Sequence, residues 1–491
     1  MSGLTSKAVS GASWMFAATI LGRAVAMLGQ VGVGWLLTPA DFGVWALALS
    51  MSTAVMALRN GGTTQVLVQH GSRFSSDAPF FLRYSLLFNA VATAILVILS
   101  IPYLLERSAV GVALLGIALA VPLATPAMLY RAKLTIDAQF RSLALINLGS
   151  ATLWQVSVFV LAYAGLGAAS FACAPALQAI FETITGRLSA GRLPPGSGSR
   201  PLVDYAALFR QSRWVMLSAA VLSLGTTGDY FAVGVLTDMS TVGVYYFAFQ
   251  TVVTLSMPIY NGLESVLPSL LVKLTAEPAR QVAAFGRAAR TVVVVAIPLA
   301  ITFALVAPLI IHLLWHGKWD VAARPTQILA ACVPAWLIIH CTRALLEARG
   351  YWRLRFGLLA MNGAGGIIAA ALGTCFGGVA NIATTVAIFY SSFGLSLLLA
   401  LRKLGLSRHD VSITALHPLA LNLGALVGTL AIRHMVLHSM SAEVTDALSA
   451  VIFLLLVGVG NLALFKQVWM ELVQGLATAV CRRTSSTAVS S

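Results

Sequence analysis

Apolar runs of membrane-spanning length follow one another along almost the whole chain, at approximately 13–37, 41–58, 84–105, 109–130, 143–164, 167–186, 212–236, 240–262, 289–314, 326–346, 354–375, 379–401, 412–437 and 446–466. A spanning helix needs about 20 predominantly apolar residues. Fourteen of them would use about 280 positions, and 59% of the 491 residues are hydrophobic while only 10% are charged. Little is left for a soluble domain. Lipid offers no partner to backbone N–H and C=O groups, so runs of this kind fold as helices. The expectation is therefore an all-α integral membrane protein with about 14 transmembrane helices. The first run is too long for a signal-peptide core and ends in the turn Thr38-Pro39-Ala40-Asp41-Phe42-Gly43, so it reads as a retained helix.

The net charge of +15 would suggest nucleic acid in a soluble protein, but here the basic residues flank apolar runs. Placing the N-terminus in the cytoplasm leaves only Arg107, Lys318, Arg324 and Arg433 on the opposite side, with Arg23 inside the membrane. Examples on the inner side are Arg59, Arg73 and Arg83, then Arg131, Lys133 and Arg141, then Arg402, Lys403 and Arg408. This is a strong positive-inside pattern, and an even number of spans returns the C-terminus to the cytoplasm. No nucleic-acid partner is expected.

The chain also repeats itself at an offset near 200 residues. Leu36-Leu37-Thr38-Pro39-Ala40-Asp41-Phe42-Gly43-Val44 aligns with Val235-Leu236-Thr237-Asp238-Met239-Ser240-Thr241-Val242-Gly243-Val244 with one gap. Asn60-Gly61-Gly62 matches Tyr260-Asn261-Gly262, and Arg131 with Phe140-Arg141 matches Arg343 with Trp352-Arg353. Six spans separate the copies, so both halves share one orientation about an axis along the membrane normal. The expected organisation is a six-helix lobe over 1–187, a cytoplasmic linker over 188–210 around Pro194-Pro195-Gly196-Ser197-Gly198-Ser199, and a pseudo-symmetric six-helix lobe over 211–402. Residues 403–491 hold two additional helices and a cytoplasmic tail.

Arg23 interrupts the first span. A guanidinium near the bilayer centre costs roughly 2.5–3.5 kcal/mol on insertion scales, so such a residue faces protein or water. Two readings follow: capture of an anion, since Arg forms bidentate bonds to phosphate, or a structural pair with a carboxylate or with backbone carbonyls. Asp229, in Gly228-Asp229-Tyr230, is the one acid clearly inside a span. It could titrate with a coupling proton, bind Na+, pair with Arg23, or sit wetted near the outer boundary. Gln30, Asn147, Gln155, Gln250, Asn261, Asn362 and Asn422 are amides within apolar runs, suited to a sugar-accepting cavity or to interhelical hydrogen bonds. Glu182 and Glu264 read as interfacial, and Lys133/Asp137 and Arg343/Glu347 as i,i+4 pairs within cytoplasmic helix extensions.

Several other features read as structural. Gly22, Gly29, Gly32 and Gly34 thin one side of the first helix. Pro122, Pro126, Pro258, Pro298, Pro308, Pro334 and Pro418 mark kinks, and Trp14, Trp154, Trp214, Trp315, Trp319, Trp352 and Trp469 mark interfacial anchors.

An N-terminal Gly11-x-x-Trp14, the stretch Leu37 to Ala46, and Arg131 with Phe140-Arg141 together resemble the polysaccharide-export (Wzx-like) branch of the multidrug/oligosaccharidyl-lipid/polysaccharide (MOP) flippase superfamily. The resemblance covers nearly the whole chain. It implies movement of undecaprenyl-diphosphate-linked sugar repeat units across a bacterial inner membrane, with a polysaccharide polymerase and chain-length machinery as partners. Members of that family carry arginines in a central cavity, and Arg23 matches such a position. No second cavity cation is evident in the middle of the second lobe; Arg287 and Arg290 lie close to the cytoplasmic face.

Enzymatic signatures are missing. Asn362-Gly363-Ala364-Gly365-Gly366 lacks the lysine of a phosphate-binding loop. His312, His316, His340 and His417 lack metal-site spacing, and Cys173, Cys332, Cys341, Cys375 and Cys481 form no paired framework. The short outer loops disfavour a glycosyltransferase or polymerase. The chain reads as a transporter without cofactor, with a cation-coupled drug exporter of the same superfamily as the alternative.

Overall fold

A computed structural model describes residues 2–470 apart from 57–58, 60–73, 192–204, 437–439 and 466–469. Among the described residues the chain forms seventeen α-helices and no strand. They are α1 (Ser2–Leu36), α2 (Pro39–Met56), α3 (Phe74–Leu105), α4 (Ala109–Leu123), α5 (Thr125–Ile136), α6 (Phe140–Tyr163), α7 (Ala169–Ala190), α8 (Tyr205–Leu236), α9 (Met239–Lys273), α10 (Pro278–Trp315), α11 (Ala323–Ala330), α12 (Cys332–Ala348), α13 (Trp352–Thr374), α14 (Val379–Ala400), α15 (Arg408–Val411), α16 (His417–Met435) and α17 (Ala442–Leu464). Among the described residues nine helices are long and apolar enough to cross a membrane, or up to 12 with each of three bent pairs taken as one span. The helices α2 and α7 occupy the two remaining expected runs, so every one of the fourteen has its helix or bent pair. One bend, of 48°, falls between α4 and α5 beside Pro122. The core of the expected linker, Pro194 to Ser199, and the Asn60-Gly61-Gly62 copy lie outside the described residues.

By internal packing the chain divides into two compact units. The first holds Met1–Pro258, Leu314–Ala322 and Phe356–Val386; the second holds Ile259–Leu313, Ala323–Arg355 and Ala387–Ser491.

In the first unit, small residues set the close approaches. A side chain at Gly22, Gly29 or Gly32 would meet Ala151, Gln155 and Phe159, so these three glycines let α1 lie against α6. Gly34 does something different: a side chain there would strike the indole of Trp315. The four glycines therefore serve two faces of α1. Gly225 of α8 and Gly363 of α13 oppose each other backbone to backbone, and Gly234 of α8 receives Leu47 of α2.

The repeat is visible in three dimensions at the entrance to α2 and α9. Thr38 caps α2, exchanging bonds with Asp41: the Thr38 N–H and hydroxyl donate to the Asp41 carboxylate at 2.9 and 2.6 Å, and the Asp41 N–H returns to the Thr38 hydroxyl at 3.3 Å. Asp238 caps α9, accepting from the Thr241 N–H at 3.0 Å and hydroxyl at 2.7 Å. The cap and its partner have swapped identities between copies. The geometric register is thus Thr38 on Asp238 and Asp41 on Thr241, with no gap; the one-gap alignment expected from sequence is corrected here. These bonds hold the Asp238 carboxyl below its ordinary range, the Thr241 hydroxyl contributing most.

In the second unit, Leu305, Ala425, Ala450, Phe453 and Val457 build an apolar core from α10, α16 and α17. Polar ties finish its ends: Arg433 to Asp446 at 2.9 Å and Arg290 to Asp410 at 3.6 Å.

Candidate functional site

Arg23 projects from α1 exposed, and no ion pair or hydrogen bond holds it among the described residues. Gln30 lies seven positions on, which returns an α-helix to nearly the same face. Gln30 donates to the Thr251 hydroxyl of α9 at 3.4 Å. The face of α1 that carries Arg23 is therefore the one directed at α9, not the glycine face packed on α6. Next to Thr251, Gln250 lies close to the Tyr246 hydroxyl, as does Trp45. Asn362 of α13 keeps its side-chain oxygen buried with no hydrogen bond among the described residues. Asn261 belongs to the second unit, beside Tyr260 and Glu264.

Asp229 is buried and is not paired with Arg23. Its carboxylate accepts from the Tyr245 hydroxyl at 2.9 Å and from the Tyr230 N–H at 3.0 Å. Tyr230, Tyr245 and Phe249 pack on one another at centroid distances of 5.8–5.9 Å, Tyr230 meeting the other two edge to face. A buried carboxylate that accepts from one hydroxyl and one backbone N–H has room in its bonding capacity for a small cation or a proton.

Elsewhere in the first unit, Glu182 of α7 accepts from Arg131 at 2.9 Å and from Ser150 at 2.6 Å; Gln178 donates to Ser150 at 2.7 Å. Asn147, expected to line a cavity, gives its amide oxygen to the other arm of Arg131. Arg59 is coupled electrostatically to both Glu182 and Arg131, and its Nε is buried without a hydrogen bond among the described residues. Arg131 pairs with this carboxylate and Arg59 lies within electrostatic range of it, which leaves the cluster cationic.

The second unit has a related arrangement. Arg343 donates to Glu264 at 2.6 Å and to the Tyr260 hydroxyl at 3.1 Å, while Glu347 lies 3.6 Å from Arg355. The repeat-matched arginines Arg131 and Arg343 are therefore both tied to another helix of their own unit. The expected i,i+4 pair Arg343/Glu347 is not formed, because both partners find longer-range ones; Lys133 likewise bonds the Ala190 carbonyl, not Asp137. Glu182 and Glu264, read from sequence as interfacial, are ion-pair acceptors.

Two expected interfacial tryptophans are also corrected. Trp315 and Trp319 are 4% and 1% exposed, with their indole N–H groups bonded to α1. Sequence reasoning missed Arg59 and Tyr245; the offset of 200, which superimposes Tyr245 on Trp45, was the signal that could have drawn attention to the latter.

Residues 34–324 match the family model described as polysaccharide biosynthesis protein, more than half of the chain. The chain belongs to the polysaccharide biosynthesis protein family. No curated protein matches the sequence closely enough to name a relative. Among solved structures, this family member is similar to the lipid II flippase MurJ in an inward closed conformation, with a TM-score of 0.72 at 12% identity, covering 92% of this chain and 99% of that one. It is also similar to an inward-facing multidrug resistance MATE transporter of the MOP superfamily, with a TM-score of 0.60 at 14% identity over 80% of this chain and 95% of that one. An outward-facing MATE structure matches with a TM-score of 0.54 at 14% identity, over 82% and 96%. The fold is that of the MOP superfamily, as the motifs around Gly11, Trp14 and Leu37 to Ala46 led one to expect, and the protein is a multi-pass membrane protein.

Proposed function

We propose that this protein is a flippase that moves polyprenyl-diphosphate-linked oligosaccharide units across the bacterial inner membrane, with both termini in the cytoplasm. The observation that carries the reading is Arg23: a cation on a spanning helix, on the face shared with Gln30, with no carboxylate beside it among the described residues. A charge at that depth is retained only where something compensates it. A diphosphate does so through bidentate, charge-assisted hydrogen bonds that lysine does not reproduce.

In this proposal the lobes 1–187 and 211–402 enclose a chamber that opens alternately to each side. Arg23 binds the diphosphate, Gln30, Gln250, Asn147, Asn261 and Asn362 meet the first sugars, and the polyprenyl tail stays in lipid. Direction comes from a cation gradient acting through Asp229, or from consumption of the delivered unit outside by a polysaccharide polymerase and its chain-length machinery. No bond is made or broken in the cargo. The family membership and the MurJ-like fold support this reading.

The buried Asp229 also favours a second reading, a cation-coupled exporter of small molecules. Complementation of a strain lacking the protein separates them. Arg23→Ala at normal abundance should abolish export of the polymer without changing drug resistance; intact export would count against the flippase.

A further inference from the structure

The C-terminal end of α1 is held by a nine-residue strap, Leu314–Ala322, that groups with the first unit while the adjoining residues of α10 and α11 group with the second. The last four carbonyls of any helix lack an intrahelical partner. In α1 the strap supplies two of the four: Trp319 Nε1 donates to the Gly34 carbonyl at 2.9 Å and Lys318 Nζ to the Trp35 carbonyl at 2.8 Å. Trp315 Nε1 reaches one turn further in, to the Val31 carbonyl at 3.1 Å, through the space that Gly34 leaves. Trp35 completes the set by donating to the Leu314 carbonyl. The Lys318 ammonium also sits at the negative end of the α1 dipole.

Aromatic rings lock the same strap to α2 and α9. The Trp319 ring stacks on Phe247, centroids 4.0 Å apart and planes within 12°, and Phe42 meets its edge at 5.0 Å. His316 and Gly317 both have positive φ, 51° and 82°, in the turn between Trp315 and Trp319, whose rings both contact Phe247. Thr251, the partner of Gln30, lies one turn of α9 inward from Phe247, to whose carbonyl its hydroxyl bonds at 2.7 Å. The helix α9 that bonds Gln30 at Thr251 is thus the one whose Phe247 holds the strap.

We propose that Leu314–Ala322 is the outer latch of the transport cycle: Trp315, Lys318 and Trp319 hold the end of α1 closed and release it before its Arg23 face opens outward. The inference rests on the alternating-access reading above and names the device that controls it. Lys318, one of the few basic residues assigned to the outer side, is there because a helix C-terminus needs a cation donor. The two tryptophans are there because an indole fills an apolar gap and donates a bond at once.

The test uses the full-length chain with its native cysteines replaced by serine and a reporter, Thr251→Cys, in intact cells whose outer barrier is permeabilised. The rate of labelling by a membrane-impermeant maleimide reads outward opening and requires no cargo. Trp319→Phe keeps the ring and deletes the donor; Lys318→Met keeps the stem and deletes the charge. Each should raise the labelling rate about five-fold, the effect of one lost hydrogen bond. A third variant joins Trp35→Cys to Lys318→Cys; once oxidised, with both of those thiols consumed by the cross-link, it should block labelling of the thiol at position 251. Unchanged labelling in both single variants, or full labelling through the closed cross-link, overturns the latch. Because the readout is accessibility, the latch can stand if Arg23→Ala leaves export intact, and can fail while the flippase stands.

Discussion

Gly43 and Gly243, two hundred positions apart in the chain, oppose each other reciprocally: a side chain on Gly43 would strike the Met239 carbonyl, and one on Gly243 would strike the Pro39 carbonyl. Each glycine meets the residue that begins the helix bearing the other. An internal two-fold axis passes between them, as in a symmetric interface where residue i meets j and j meets i.

That reciprocity makes the two positions equally intolerant. Gly43→Ala and Gly243→Ala should each lower stability by about 1–3 kcal/mol or more, since backbone has no rotamer through which to yield. Gly424→Ala, which adds its methyl to open space, should be neutral or slightly stabilising. Thermal unfolding in detergent measures all three; a harmless Gly243→Ala beside a damaging Gly43→Ala would refute the symmetry.

Glu182→Ala should strand Arg131 in partly buried surroundings already shared with Arg59. Glu182 is 13% exposed and Arg131 35%, so the cost should be about 2 kcal/mol, below that of a fully buried pair. The control is Glu277→Ala, whose partner Arg280 is 72% exposed and whose loss should be close to neutral. The same unfolding assay compares them, and equal effects would contradict the burial argument.

Asp229→Asn should leave the helices assembled, because the amide oxygen can still accept from Tyr245. It should make transport indifferent to collapse of the cation gradients. Tyr245→Phe should preserve coupling at a stability cost of about 1–2 kcal/mol. Transport measured with and without an ionophore decides this; an ionophore-sensitive Asp229→Asn variant removes Asp229 from the coupling step.

Asp238 gives a pH-dependent prediction. Its folded carboxyl titrates below the unfolded value near 4, so its contribution is fully present above about pH 4 and fades as pH falls through the depressed folded value. Asp238→Asn should lose this acid dependence while still capping α9. Unfolding profiles from about pH 3 to 6 that coincide for the two proteins would contradict it.

The helices were legible from sequence because lipid forces every backbone bond inside a helix, so run length alone marks a span. The overshoots were not: α9 continues to Lys273 and α10 starts at Pro278, beyond the runs ending at 262 and starting at 289, because Glu264, Pro268, Arg280 and Arg287 interrupt the apolar pattern without ending the helix. Arg23 stood out by its cost, whereas Tyr245 and Trp319 did not, since an aromatic ring in an apolar run looks alike whether it packs, anchors or donates. The swapped caps at Thr38/Asp41 and Asp238/Thr241 hid the register for the same reason: side-chain identity changed while the bond pattern did not.

The most direct test places purified protein in liposomes with a fluorescent polyprenyl-diphosphate sugar and follows its arrival in the outer leaflet. The account predicts rapid movement with the unaltered chain, slower movement with Arg23→Lys, and none above protein-free liposomes with Arg23→Ala. Equal rates for the unaltered chain and Arg23→Ala would contradict it.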